Sequence, residues 1–367
     1  MRISDLDKNF KVSDGQAPDT AVWLNAKDQP FKLFGVFYDE EMQRFTRMPH
    51  EVAEKVSFGV GVIAPFTPGG RVRFKTDSPY IGIKAVMKNE VPGPHMTLLG
   101  ECGFDLYRTD ETGHEVYLKS FMPPIGMTEG YSSLAELTKS YLEEDPGYYT
   151  GKVEQYTINF PLYDGVQQLY IALDKDSVIM EADGYRDIAP IVYYGSSITQ
   201  GGCATRPGNS YQGIITRKYN IDHLNLGFSG NAKGEDLMVE YMAGLDMSVF
   251  VCDYDHNAPN LEFLKNTLPN VYNKIRAAKP DLPFIFISAP TPKSMPSLLP
   301  RREFIRGLYL DAVNKGDKNV YFIDGEELFE GECADACTVD GIHPNDLGFY
   351  RMAMRIAKEI EKAIDIS

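Results

Sequence analysis

A chain of 367 residues with 37 basic and 52 acidic side chains carries a net charge of -15 and a pI near 4.9, which argues against nucleic acid and anionic membrane surfaces as partners. Its 43 % apolar and 24 % charged content is that of a globular protein, and no run of about 18 apolar residues offers a membrane span. The length suggests two domains, and the polar opening Met1–Lys8, lacking an apolar signal region, points to the cytoplasm.

From residue 1 to about 185 the pattern is short strands and turns. Arg71-Val72-Arg73-Phe74-Lys75 alternates, and Thr76-Asp77-Ser78-Pro79 turns the chain into Tyr80-Ile81-Gly82-Ile83. Phe104 and Leu106, then Val116-Tyr117-Leu118, flank the hairpin signal Asp110-Glu111-Thr112-Gly113. Tyr156, Ile158 and Phe160 alternate, Asp164-Gly165 turns, and Leu169, Ile171 and Leu173 alternate again. Period-two runs separated by turns predict an antiparallel, jelly-roll-like β-sandwich over residues 1–185. A less regular insertion, Met122–Tyr149, carries Pro and Gly and a helical pattern around Leu134–Leu142. Met122-Pro123-Pro124-Ile125-Gly126 is stiff and apolar, and the insertion is expected to border a cleft at the domain junction.

Residues 186–367 change texture. Apolar strands at 191–194, 223–226, 248–252, 284–288 and 320–323 alternate with helical stretches near 210–219, 234–243, 260–278 and 302–314. Leu347, Tyr350, Met354, Ala357, Ile360 and Ile364 then fall at helical spacing. This alternation predicts a parallel, flavodoxin-like sheet with helices on both faces and functional groups at the carboxyl ends of the strands.

Four segments sit just beyond such ends or in the last loop. Gly195-Ser196-Ser197-Ile198-Thr199-Gln200-Gly201 places a serine in a small-residue turn between a buried strand and a helix, where an α/β fold can expose a nucleophile; alone it reads equally as a turn. Asn225-Leu226-Gly227-Phe228-Ser229-Gly230-Asn231 is a glycine-rich turn that can present backbone N–H groups to a ligand, or a tight turn and no more. In Asp253-Tyr254-Asp255-His256-Asn257, the Asn257 amide can donate to a developing oxyanion or cap the next helix. In Asp340-Gly341-Ile342-His343-Pro344-Asn345, a carboxylate three residues before a histidine can orient the imidazole, or the pair can belong to a helix start.

Taken in this order, Gly195-Ser196-Ser197, Gly230, Asn257 and Asp340-x-x-His343 resemble the four blocks of the SGNH (GDSL-type) hydrolases. The resemblance covers residues 190–367. It implies Ser197 as nucleophile, His343 as general base and Asp340 as its orienting carboxylate. The N–H groups of Ser197 and Gly230 and the amide of Asn257 would form the oxyanion hole. One departure is Ser196, where the family usually carries an aspartate that supports the turn. Upstream, Gly103-Phe104-Asp105-Leu106-Tyr107 is similar to the GxDLY signature of a β-sandwich found ahead of a two-domain, carbohydrate-esterase-like branch.

The expected activity is therefore hydrolysis of small acyl esters, acetyl foremost, on a sugar or similar polyol, without metal or cofactor. A lipase or thioesterase for longer chains is one alternative. A non-catalytic carbohydrate-binding protein is another, although the complete residue set argues against it, and the single tryptophan, Trp23, weakens a stacking platform that the 22 tyrosines could replace. Tyr254 and His256, bulky neighbours of Asn257, are expected to limit acyl size, and Met295–Leu299 is too short for a long apolar groove. Five scattered cysteines form no disulfide framework. Cys333 and Cys337 could pair or bind metal, but they lack companions at zinc spacing and read as reduced thiols.

Overall fold

A computed structural model describes residues 17–87, 93–138, 147–291 and 295–366. The first half forms two packed antiparallel sheets. One has the order Ala21–Asn25, Val166–Asp174, Tyr80–Met87, Gly130–Glu136. The other runs Ile179–Glu181, Arg71–Thr76, Glu154–Asn159, Phe104–Thr109, Glu115–Phe121, with Lys32–Phe34 also paired to Arg71–Thr76. Between them Val72, Phe74, Ile81, Ile83, Phe104, Leu106, Ile158, Ile171 and Leu173 form a core. The hairpin turns at Gly113, in the left-handed region at φ 85°.

Two features depart from the sequence pattern. Gly130–Glu136 is a strand, paired with Tyr80–Val86, rather than the start of a helix. Tyr131, Ser133 and Ala135 alternate inward there, so the sheet's period of two wins over a weak helical spacing; residues 139–146, where that helix would continue, lie outside the described residues. The polar set of the Arg71–Thr76 alternation is also not solvated. Arg71 and Arg73 are each 2 % exposed: the second domain covers Arg71, which donates to Asp222 Oδ1 at 2.8 Å and to the His223 carbonyl at 2.9 Å, and the Arg73 guanidinium lies 4.2 Å over the Tyr185 ring.

The second half is a five-stranded parallel sheet, Ile191–Gly195, His223–Gly227, Val249–Asp253, Phe284–Ile287 and Val320–Ile323, in spatial order 2-1-3-4-5. Helices Tyr211–Tyr219 and Asp346–Ala363 pack on one face, and Asp236–Gly244, Leu261–Ala278 and Leu299–Asn314 on the other. Apart from His223 and Asn225 on the second strand and Asp253 at the end of the third, the strands are apolar along both faces, as a doubly covered parallel sheet requires. The first strand lies between the second and third, so its carboxyl end is the point where the winding reverses and where open α/β sheets place their sites.

Two polar anchors fix the sandwich against this sheet. Arg47, 4 % exposed, donates to the carbonyls of Ile63 and Phe66 in its own domain and of Asn225 and Gly227 at the end of the second strand, at 2.8–3.0 Å. Burial without a carboxylate partner lowers its pKa to about 9. The second anchor is Asp105, the acidic residue of the GxDLY motif. Fully buried, it accepts from Asn159 Nδ2 at 2.7 Å and, across the domain boundary, from the Gly208 N–H at 2.8 Å and Arg206 at 3.0 Å. A Cβ at Gly208 would stand 2.5 Å from the Tyr107 hydroxyl and 2.9 Å from Asp105 Oδ2, so only glycine lets the two chains approach this closely.

Replacing Asp105 by Ala leaves three donors without their acceptor. Asp105→Ala is expected to lower unfolding free energy by roughly 2–3 kcal/mol, read by urea denaturation; a loss within experimental error would mean that this anchor does not hold the domains.

Candidate active site

The strand Ile191–Gly195 ends in a turn that the surrounding backbone leaves little room to vary. A Cβ at Gly195 would fall 2.1 Å from Thr199 Oγ1 and 2.4 Å from the Asp253 carbonyl. Ser196 begins the short helix Ser197–Gln200: its Oγ accepts from the Ile198 N–H at 3.2 Å, and its own N–H donates to the Asp253 carbonyl at 3.0 Å. Serine and aspartate are comparable N-caps, so the departure at 196 leaves the turn supported. Behind it, Thr199 Oγ1 donates to the buried Asp253 at 3.2 Å, and burial raises the Asp253 carboxyl well above the usual range.

Ser197 Oγ lies 2.9 Å from His343 Nε2, and His343 Nδ1 lies 2.7 Å from Asp340 Oδ2. A carboxylate only accepts, so the imidazole carries its hydrogen on Nδ1 and turns the Nε2 lone pair to the serine hydroxyl. Asp340 also accepts from the N–H groups of Ile342 at 3.0 Å and His343 at 2.7 Å. Partial burial alone would raise its pKa, but the His343 N–H, the imidazole and the Ile342 N–H outweigh this and bring it down to about 2. The loop closes through an isolated bridge, Thr338 to Pro344, and the Val339 N–H bond to the His343 carbonyl at 2.9 Å.

The second and third strand ends bring up the remaining predicted residues. Gly230 is left-handed at φ 67°, with nothing within 4 Å of where a side chain would stand. Among the described residues, the N–H groups of Ser197 and Gly230 have no protein acceptor. Asn257 Nδ2 donates to the Phe228 carbonyl at 2.8 Å, which fixes the amide beside the Gly230 turn and leaves its second N–H to be given elsewhere. Its loop is pinned by Asp255, which accepts from Arg301 Nε at 2.6 Å and the Ala289 N–H at 2.9 Å.

Tyr254 does not flank the serine. It is 1 % exposed, its ring packs 5.6 Å from Tyr194, and its hydroxyl bonds Thr267 at 3.0 Å; a buried partner for the hydroxyl lets the whole ring leave water. His256 donates from Nε2 to the Pro290 carbonyl at 3.1 Å, and burial lowers its pKa.

Several site residues carried no signal in the sequence pattern. Tyr163, from the sandwich, donates to the Ser197 carbonyl at 3.0 Å. Gln200 bonds the Leu162 carbonyl at 3.2 Å and accepts from the Ser229 N–H at 2.9 Å, tying sandwich, nucleophile turn and Gly230 turn together. His95 places its ring 5.3 Å from that of His343. The sandwich thus borders the site, as expected, through Tyr163 and His95; of the Met122–Tyr149 insertion, Ile125 is 98 % exposed, and residues 139–146 lie outside the described residues.

A parallel sheet of order 2-1-3-4-5 with a hydrogen-bonded Ser–His–Asp chain at its switch point is the arrangement of an α/β serine hydrolase. Residues 188–361 match the GDSL-like lipase/acylhydrolase family, and residues 21–179 match the GxDLY family, described as the N-terminus of an SGNH-hydrolase-type esterase. The chain belongs to the SGNH (GDSL-type) hydrolases, in their two-domain form. Among solved structures, a candidate GDSL-like lipase from Bacteroides ovatus is 25 % identical, with a TM-score of 0.81 over 94 % of this chain and 98 % of its own. The salicylyl-acyltransferase SsfX3 of a tetracycline biosynthetic pathway is 17 % identical, with a TM-score of 0.71 over the same shares. An active-site mutant of a family two carbohydrate esterase from Clostridium thermocellum is 13 % identical, with a TM-score of 0.60 over 91 % of this chain and 98 % of its own. No curated protein matches in sequence.

A carboxyl held at about 2 stays ionised from about pH 4 upward. Because its folded pKa is depressed, the stability it contributes is present above the unfolded value near 4 and is lost as pH falls toward 2. Asp340→Asn is therefore expected to remove part of the acid-induced loss of stability between about pH 4 and 2, read by thermal unfolding against pH; identical acid profiles would show that Asp340 is not paired.

Proposed function

We propose that this esterase removes short acyl groups, acetyl foremost, from a carbohydrate or similar polyol. The observation that carries the reading is the hydrogen-bond chain Ser197–His343–Asp340, at 2.9 and 2.7 Å, with a Gly230 N–H that has no acceptor among the described residues. A serine hydroxyl is a weak nucleophile until a base takes its proton. In this reading His343 Nε2 takes that proton as Ser197 Oγ attacks the ester carbonyl, and Asp340 stabilises the imidazolium that forms. The N–H groups of Ser197 and Gly230 and the free amide hydrogen of Asn257 receive the charge developing on the carbonyl oxygen. The imidazolium returns the proton to the departing alcohol. Water, deprotonated by the same nitrogen, then releases the acid and frees Ser197.

The substrate class draws support from a neighbour of the same fold, the Clostridium thermocellum carbohydrate esterase, one structure of which holds cellohexaose. With Tyr254 in the core, the short-acyl preference rests on His256, the remaining bulky neighbour of Asn257.

Ser197→Ala and His343→Ala are each expected to keep less than about a tenth of wild-type turnover, measured as acetate released from acetylated oligosaccharides, with the fold unchanged by circular dichroism. Higher retention in either would sink the assignment. Asn257→Ala should lower kcat by about 10²-fold with little change in KM, since its donor acts on the transition state; a pure KM effect would make it a substrate contact. kcat/KM should favour p-nitrophenyl acetate over the octanoate, and the reverse order would promote a longer-chain lipase or thioesterase.

A further inference from the structure

Beside the serine, three residues distant in sequence converge. His95 comes from the sandwich, Cys203 from the turn after the nucleophile helix and His343 from the last loop, and one ligand atom of each lies within 4.8 Å of the other two. Zn–S and Zn–N bonds of about 2.3 and 2.0–2.1 Å put tetrahedral ligand atoms somewhat closer than that. Contraction by about 1 Å, within reach of a side-chain adjustment at the exposed His95, would bring the three to one ion. The imidazole of His343 is already prepared as a ligand. Its Nδ1–H is given to Asp340, the arrangement that orients metal-bound histidines, and this leaves Nε2 as the donor atom.

Two further observations point the same way. Cys203 is held in left-handed backbone, φ 74°, where a residue other than glycine is strained, although it is 4 % exposed and packs against the site. Such strain persists where a side chain is needed at that place. Next to it, Glu101 is 3 % exposed; one carboxyl oxygen accepts from the Gly93 N–H at 2.5 Å, and the other, Oε2, has no partner among the described residues. A cation at the cluster would meet that unanswered acceptor and Asp340 with favourable charge.

We propose that His95, Cys203 and His343 form a binding site for a thiophilic divalent cation of the zinc class, which on occupancy takes the imidazole nitrogen that serves Ser197 and switches the esterase site off. The sulfur–metal bond forms as the thiol proton passes to solvent, with no change in oxidation state. Imidazole and thiolate together select zinc-like ions over magnesium or calcium, whose ligands are oxygens. The ion would also join the two domains, one ligand from the first and two from the second. The inhibition rests on the reading of His343 as general base; the binding does not.

The test uses the full chain and two probes. Co²⁺ reports the thiolate directly through a sulfur-to-cobalt charge-transfer absorption, and Zn²⁺ reports inhibition of ester hydrolysis. Wild-type protein should bind one Co²⁺ with that absorption, and Zn²⁺ should inhibit it reversibly on addition of a chelator. In Cys203→Gly, chosen because glycine suits the left-handed backbone, the half-inhibitory Zn²⁺ concentration should rise by about tenfold or more with activity in chelator retained, and in His95→Ala it should rise likewise when scaled to that variant's own activity in chelator. Absence of the thiolate band, or equal Zn²⁺ sensitivity in both variants, overturns the site. Metal bound through Cys203 with esterase activity undiminished overturns the inhibition. A chain without esterase activity but with a Cys203-dependent cobalt band would fail the proposed function and leave the cation site standing.

Discussion

Asp105 cannot reach water, and of the three groups that satisfy it two belong to the other domain. A buried carboxylate in that position is costly unless every donor is in place, so the docking of sandwich on hydrolase is specified by geometry and not by apolar area alone. What it holds is the loop Thr205–Asn209. The N–H of Thr205 donates to Asp346 Oδ1 at 2.9 Å and Asn209 Nδ2 to Asp346 Oδ2 at 2.8 Å, and Asp346 opens the helix that follows His343. A continuous set of hydrogen bonds therefore runs from a sandwich strand to the base of the imidazole loop. The motif Gly103–Tyr107 acts as an interdomain clasp: Tyr107 bonds Arg206, whose guanidinium also lies 4.1 Å over the Tyr117 ring.

The hydrolase sheet supplies the other half of the placement. Because the first strand lies between the second and third, three consecutive strand ends open on one crevice, and Gly195, Gly227 and Asp253 stand in register across it. The serine turn, the Gly230 turn and the Asn257 loop meet there without any of them being long. Each is then braced from behind. Arg47 holds the carbonyls of Asn225 and Gly227, Gln200 holds the Ser229 N–H, and Arg301 holds Asp255. Acceptors and donors that must face a reacting carbonyl need such support, since a displacement of about 1 Å can cost 10²-fold in rate.

Much of this was legible in the sequence. Hydrophobic period marks the five parallel strands, the helices between them and most sandwich strands, because each element buries a full face. The Ser197, Gly230, Asn257 and Asp340-x-x-His343 segments could each be read as a turn or a cap, and only their order at successive strand ends and their resemblance to the SGNH blocks singled them out. Contacts between domains were not visible. Arg71 and Arg73 alternate as a solvated face would, and Arg71 is covered only by docking against Asp222 and His223. His95 and Cys203 lie 108 residues apart and 140 residues separate Cys203 from His343, so no spacing rule could join them, whereas the closer Cys333 and Cys337 attract notice by spacing alone. Tyr254 shows the reverse error: an aromatic in a loop beside a site residue can turn either way, and its side chain followed the core at Tyr194 and Thr267.

Both domains therefore share in the active site, and the reason lies in the imidazole loop itself. Thr338–Asn345 is tied mainly to itself and to the helix it precedes, with Asp340 and Ile342 at least a third exposed. Such a loop buries too little to hold an imidazole against a hydroxyl to within tenths of an ångström. Among the described residues it is supported from outside by the Asp346 contacts that trace back to Asp105 and by the His95 ring beside His343. Both depend on the sandwich being seated. A parallel α/β domain can bring Ser197, Gly230 and Asn257 to one place from its own strands, but in this chain His343, the base of the proposed reaction, arrives on the last loop, which is partly exposed, and contacts from the sandwich steady it.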